Sequence, residues 1–235
     1  MIFDFDYTLA DSSKGVRECI DYALKKLGLP TPSDELLFQT IGLSLQDTFE
    51  YLTGDKDTER GAKFARLFVD KADEVMADKT HIFDTVTRLL THLKDEDIKL
   101  GIVSTKFRYR IESILRRENL SELFSVIIGG EDVLRKKPDP EGLLTAIEML
   151  KVSPLKSVYV GDSTVDAETA RRAGVPFIAV LTGVTSREAF GEYSAIGIVE
   201  GLDKLHIKKP RHEKGKREAS VSHSNLRAKK SIHLQ

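Results

Sequence analysis

From residue 84 to residue 199 the sequence keeps one rhythm, a helical pattern followed by a short apolar run. Helical patterns near 84–95, 107–119, 140–150 and 164–173 lead in turn into apolar runs at 98–104, 125–128, 157–161 and 175–180, and 196–199 reads as a last short strand. Strands separated by helices of this length form a parallel sheet with helices on both faces. Residues 1–5 add one more buried strand, which ends in acids. Residues 13–80 break the rhythm and carry helical patterns alone. Val16, Ile20, Ala23, Leu24 and Leu27 recur at helical spacing and Gly28 supplies the stop. Thr31-Pro32-Ser33-Asp34 is a helix-start cluster, and helices at 34–40, 45–53 and 57–77 follow, punctuated by Gly42 and Gly54. The expected fold class is α/β: a parallel-sheet core built from 1–12 and 80–204, with an all-helical cap of 13–79 inserted after the first strand.

Composition narrows the setting. With 235 residues, 40% hydrophobic and 31% charged, the chain can bury a core and does not read as disordered. No apolar run approaches the roughly 20 residues of a membrane span. Asp4, Asp6 and Asp11 occupy the N-terminus, which has no basic start, so no secretory signal is expected. Cys19 is the single cysteine and no Cys/His cluster for zinc is present, so a reducing, cytoplasmic setting is expected. The net charge of −1 hides an asymmetry: residues 204–235 hold ten Lys/Arg against Glu213 and Glu218, and the remainder of the chain is acidic. Residues 205–235 lack periodicity and read as a basic, disordered tail. Nucleic-acid binding finds little support there, because no aromatic residue interleaves the charges. Only three residues precede Asp4, so the first strand is expected to be short, and added apolar residues at its start are expected to stabilise the chain.

In open α/β sheets ligands bind at the carboxyl ends of the strands. Strand one ends in Asp4-Phe5-Asp6, the run at 98–104 ends near Ser104-Thr105-Lys106, and the run at 157–161 is followed by Asp162, with Asp166 four residues on. Lys136-Lys137-Pro138 lies in a loop between them. An Asp-x-Asp or a helix-start Asp alone is ordinary turn and capping chemistry. Their joint placement on one sheet edge is what points to a site. Carboxylates this close repel unless a cation sits among them, and a donor set of oxygens without His or Cys fits a hard cation, Mg²⁺. Lys137 and the Ser104 and Thr105 hydroxyls then complete a phosphate site.

Phe3-Asp4-Phe5-Asp6-Tyr7-Thr8 closely resembles the first motif of the haloacid dehalogenase superfamily. Val103-Ser104-Thr105-Lys106 resembles its second motif, Lys137-Pro138-Asp139-Pro140 its third and Gly161-Asp162-Ser163-Thr164-Val165-Asp166 its fourth, in the correct order across residues 1–204. The stretch 161–174 is most similar to phosphoglycolate phosphatase-like members. The resemblance implies a Rossmann-like sheet with a helical cap. It makes Asp4 the nucleophile, Asp6 the general acid and base, and Ser104 and Lys137 the phosphate ligands, with Lys137 also keeping Asp4 ionised. It makes Asp4, the Asp6 carbonyl, Asp162 and Asp166 the Mg²⁺ site. Asp6 is expected to sit among acids that raise its pKa. Tyr7 stands where the motif usually has Gly, which is tolerated only if its φ is not strongly positive. Asp6 argues against the metal-free dehalogenase branch.

Ile41-Gly42-Leu43-Ser44 resembles the family's substrate-facing cap loop, and a plain helix–helix turn reads equally well. Phe38, Phe49, Phe64 and Phe68 read as cap core, with Cys19 beside them as a small buried hydrophobe. The expected activity is Mg²⁺-dependent hydrolysis of a small phosphorylated metabolite through an aspartyl-phosphate. An inorganic pyrophosphatase or a phosphohexomutase of the same fold, and a catalytically weak binding or regulatory protein, are the alternatives. The substrate and the oligomeric state are not readable.

Overall fold

The computed structural model describes residues 1–40, 43–207 and 232–234. The strands are β1 (Ile2–Phe3), β2 (Ala10–Asp11), β3 (His81–Ile82), β4 (Gly101–Val103), β5 (Val126–Ile128), β6 (Tyr159–Gly161), β7 (Phe177–Val180), β8 (Gly197–Val199), β9 (Leu205–Ile207) and β10 (Ile232–Leu234). The helices are α1 (Ser13–Lys26), α2 (Asp34–Phe38), α3 (Leu45–Thr53), α4 (Thr58–Val75), α5 (Val86–Asp95), α6 (Arg108–Arg117), α7 (Glu141–Met149) and α8 (Thr164–Ala173).

Six strands form one parallel sheet in the order β5-β4-β1-β6-β7-β8. Counted within that sheet alone, this is the doubly wound order 3-2-1-4-5-6, whose direction reverses beside β1. Each apolar run supplies one strand. Alternation along the strands sorts the core into two layers. Phe3, Ile102, Val160, Ile178 and Val180 pack with Leu90, Leu93, Ile111, Ile114 and Leu115 of α5 and α6 on one face. Ile2, Val103, Tyr159, Phe177 and Ala179 pack with Leu143, Ile147, Ala167 and Ala170 of α7 and α8 on the other.

The insertion between β2 and β3 is helical throughout its described residues, and it has an apolar cluster of its own. Cys19, Ile20, Leu24, Leu37, Phe49, Phe64, Phe68, Ala72 and Met76 meet there, with the Phe49 and Phe64 rings 5.5 Å apart. Its helices begin where the side chains dictate. Ser33, Ser44 and Asp57 accept hydrogen bonds from the first-turn N–H groups of α2, α3 and α4, and Gly54 ends α3 in the left-handed conformation. The chain leaves and returns to the sheet through β2 and β3, paired antiparallel as Ala10↔Ile82 and Asp11↔His81.

One expectation is corrected here. Part of the tail is paired: β10 runs antiparallel to β9, with Ile232↔Ile207, His233↔His206 and Leu234↔Leu205 in register. Leu-His-Ile and Ile-His-Leu both alternate apolar and polar residues, a period-2 pattern hidden at the two ends of a basic segment. No helix among the described residues is long and apolar enough to cross a membrane.

Candidate active site

The reversal of strand order opens the crevice between β1 and β6, and the acids stand at its edge. The Asp4 N–H donates to the Val160 carbonyl at 2.8 Å, which fixes the end of the central strand against β6. The chain then turns back tightly: Tyr7 N–H donates to Ala10 O at 2.7 Å, and the Leu9 and Ala10 N–H groups both reach Phe5 O, at 2.9 and 3.1 Å. Within this turn the Thr8 hydroxyl donates to Asp162 Oδ1 at 2.8 Å, tying the first acidic pair to the second across 154 residues of chain.

Asp4, Asp162 and Asp166 converge. Each offers an oxygen within 4.8 Å of the others, and all three are buried. Lys137 is the ammonium among them. Its Nζ donates to Asp166 Oδ1 at 2.6 Å and to the Tyr159 hydroxyl at 3.2 Å, and it lies 2.9 Å from Asp4 Oδ1. That last contact is an ion pair, and among the described residues Lys137 is the cation that meets Asp4 Oδ1. Asp166 has more partners. Its Oδ1 meets Lys137 and the Tyr159 hydroxyl, and its Oδ2 accepts from Ser163 N–H at 3.1 Å and Ser163 Oγ at 2.5 Å, a capping box at the start of α8.

Three buried carboxylates against one ammonium leave excess negative charge, and the titration behaviour reflects it. Burial pushes Asp4 up to about 6; the Asp166 and Asp6 charges add to this and Lys137 opposes it. Asp162 is raised well above the carboxylate range by burial and then by Asp166 and Asp4. Burial alone would discharge Lys137, but Asp166 and Asp4 outweigh it and hold its pKa high. Three buried carboxylates that converge around one ammonium make an all-oxygen donor set of excess negative charge, the chemistry of a hard divalent cation site. The residues present fit Mg²⁺.

Asp6 departs from its expected surroundings. Its carboxylate touches a cation instead of further acids: Lys106 Nζ donates to Oδ1 at 2.9 Å and to Oδ2 at 3.2 Å, and the lysine side chain is only 5% exposed. Tyr7 also corrects an expectation, because its φ is +57°. A non-glycine residue in that region costs about 1–2 kcal/mol. The ring is buried, and the Thr182 hydroxyl donates to the Tyr7 carbonyl from the loop after β7. Hydrophobic burial of the ring, worth about 1.5–3 kcal/mol for a large side chain, offsets the backbone strain.

Ser104 is buried at the end of β4, its N–H bonded to Ile128 O at 3.0 Å, whereas Thr105 beside it is exposed. Gly42 lies outside the described residues, as does the Phe38 side chain. Lys106, Tyr159 and Thr182 are site groups that sequence reasoning did not single out. Lys106 had a signal, since it follows Ser104 and Thr105 at the same strand end. Tyr159 reads only as one more apolar strand residue, and nothing local marks its hydroxyl. Gly183 is a close-approach glycine: a Cβ there would stand 2.0 Å from Asp162 Oδ2.

Comparison with known proteins follows the same lines. The sequence model of the haloacid dehalogenase-like hydrolases matches residues 1–180. A phosphoglycolate phosphatase of Salmonella typhi is 32% identical over 215 residues, covering 83% of this chain and 84% of that protein. The phosphoglycolate phosphatase of Escherichia coli K12 is 29% identical over 208 residues, 80% and 82% of the two chains. Among solved structures, a protein of Bacteroides fragilis described as a haloacid dehalogenase-like hydrolase superposes with a TM-score of 0.81 at 45% identity, over 86% of this chain and 96% of that one.

Proposed function

The chain belongs to the haloacid dehalogenase-like hydrolases, and from that premise we propose that it hydrolyses a small phosphomonoester, as phosphoglycolate phosphatases do, through a phosphoryl group carried on Asp4. The enzyme is a phosphatase of this family. The reading rests on Asp4, a buried carboxylate at the end of the central strand with an ammonium 2.9 Å away and oxygens of Asp162 and Asp166 within 4.8 Å.

In this mechanism the phosphate lies between Asp4, the Ser104 and Thr105 hydroxyls and Lys137. An Asp4 oxygen forms the bond to phosphorus as the ester oxygen leaves with a proton from Asp6. Asp6 then takes a proton from the water that cleaves the acyl phosphate, which restores both acids. Lys106 holds the Asp6 carboxylate in place between the two steps. Lys137 keeps Asp4 ionised and meets the charge on the phosphate. The Asp4 and Asp162 carboxylates and the Asp6 carbonyl would hold Mg²⁺, with Asp166 behind them through Lys137 and Ser163, and the ion would offset the negative charge of phosphate and nucleophile. In the same proposal residues 13–79 are the cap and 1–12 with 80–204 the core, acting on small cytoplasmic metabolites.

Phosphate release should be measured on p-nitrophenyl phosphate, 2-phosphoglycolate and pyrophosphate, each with Mg²⁺ or EDTA. Release that requires Mg²⁺ and falls at least about 10³-fold in Asp4→Asn is expected. Hydrolysis by Asp4→Asn at the wild-type rate would overturn the mechanism. Turnover of pyrophosphate alone would move the assignment to a pyrophosphatase.

A further inference from the structure

The helix that follows the Ser104-Thr105-Lys106 stretch also grips the helical insertion. Arg110 of α6 is buried, its side chain 9% exposed, with its guanidinium 5.0 Å from the Phe107 ring centre and 5.4 Å from the Tyr109 ring centre. It reaches across to α4. Nε and Nη2 donate to Asp73 Oδ1 at 2.9 and 2.6 Å, and Nη2 also donates to the Val69 carbonyl at 3.1 Å. The Tyr109 hydroxyl donates to the same Asp73 oxygen. Val69 and Asp73 are one turn apart, so these contacts hold one face of the last helix of the insertion.

Two turns further along α6, Arg117 donates to the Thr80 carbonyl at 2.6 Å and to the Ala77 carbonyl. Arg110 and Arg117 lie on the same side of α6, seven residues apart. They differ in what they hold. Arg117 bonds backbone where the insertion rejoins the sheet. Arg110 bonds a side chain farther out, and release of Asp73 would strand a guanidinium in an aromatic pocket.

We propose that Arg110 is a positioning residue, and that the Asp73–Arg110–Tyr109 cluster is the latch that holds the cap closed over the sheet edge. The inference rests on the phosphatase reading for what the closed cap encloses. The insertion leaves the sheet immediately after the Asp4–Asp6 turn and returns beside it, so its two connections lie next to the strand end that carries those acids. The latch is on the helix that starts next to Lys106, and Lys106 holds Asp6. Docking of α4 and positioning of the Asp6 partner therefore come from one short stretch of chain, residues 106–110. The recognition is of cap by core, through a two-pronged guanidinium that a point charge does not reproduce.

The test uses the full chain with Mg²⁺ and p-nitrophenyl phosphate, and the variants Asp73→Ala, Asp73→Asn, Arg110→Lys and the pair Asp73→Ala with Arg110→Met. Bound substrate repopulates the closed form at saturation, so loss of the latch acts on KM. KM should rise about tenfold, the equivalent of one charge-assisted hydrogen bond, with kcat changed less than about threefold. Arg110→Lys should not restore it, and the double variant should be no worse than the worse single one. Hydrogen exchange in the substrate-free protein should quicken across residues 69–77. A residue that only supported the fold would lower kcat through lost active protein and leave KM alone. Unchanged KM with unchanged exchange at 69–77, or additive single effects, would overturn the latch. If wild type releases no phosphate the hydrolase reading fails, and the exchange measurement alone decides the latch.

Discussion

The sheet edge and the interior of the cap are both buried, and they are built on opposite principles. The cap interior is apolar, closed by aromatic packing and capped helices, and it leaves little to bind. The sheet edge holds three carboxylates against one ammonium, and burial raises the pKa of Asp4 and Asp162. One region is stable because its groups are satisfied among themselves. The other holds like charges together at the strand ends, which is the usual condition of a ligand site.

The contrast can be broken at several points. Phe64→Ala in the cap interior should lower stability by about 3–5 kcal/mol, read by denaturant unfolding with and without Mg²⁺; a smaller loss would mean that the cap core is not close-packed. Cys19 belongs to the same interior, and burial pushes its thiol up to about 12. Its alkylation by iodoacetamide at pH 8 should be slower than in the unfolded chain by about 10³-fold, and rapid labelling of the native protein would show the cap to be loose. At the sheet edge, Gly183→Ala should displace Asp162 and weaken Mg²⁺ binding by about 10- to 100-fold, measured by Mn²⁺ electron paramagnetic resonance in competition with Mg²⁺. The smallest effect lies outside both regions. Glu168 is held near 2, first by hydrogen bonds from Arg171 and Arg172. Its folded-state pKa is depressed, so its stabilisation is present above about 4.5 and fades as the pH falls toward 2. The difference in melting temperature between wild type and Glu168→Gln should shrink between pH 6 and pH 3.

What the sequence made legible follows from the range of the forces involved. Each sheet strand appeared as an apolar run, and α3 and α8 fall at the residues expected, because caps, glycines and periodicity act over a few positions. The meeting of Asp4, Lys137, Asp162 and Asp166 was legible because the strand ends of a parallel sheet, and the loops beside them, share one edge. The pairing of Lys106 with Asp6 spans 100 residues and that of Lys137 with Asp166 spans 29. Neither pairing was anticipated, since motif order gives Lys137 only Asp4 and the phosphate as partners and gives Lys106 none. The positive φ of Tyr7 was not legible either. The penalty is local, but the burial and the Thr182 contact that offset it come from elsewhere in the fold. Tyr159 hides its function for a similar reason, since its ring reads as core and its hydroxyl finds Asp166 and the Val103 carbonyl only after the sheet has formed.

The strand order also has a consequence for synthesis. Asp4 leaves the ribosome first, yet β1 is flanked by β4 and β6, and Asp162 and Gly183 come far later in the chain. No N-terminal fragment that stops short of β6 can assemble the crevice, however well its early helices form. Catalytic competence therefore arrives late and all at once, and a growing polypeptide remains inert toward the cell's phosphate esters until most of it has emerged.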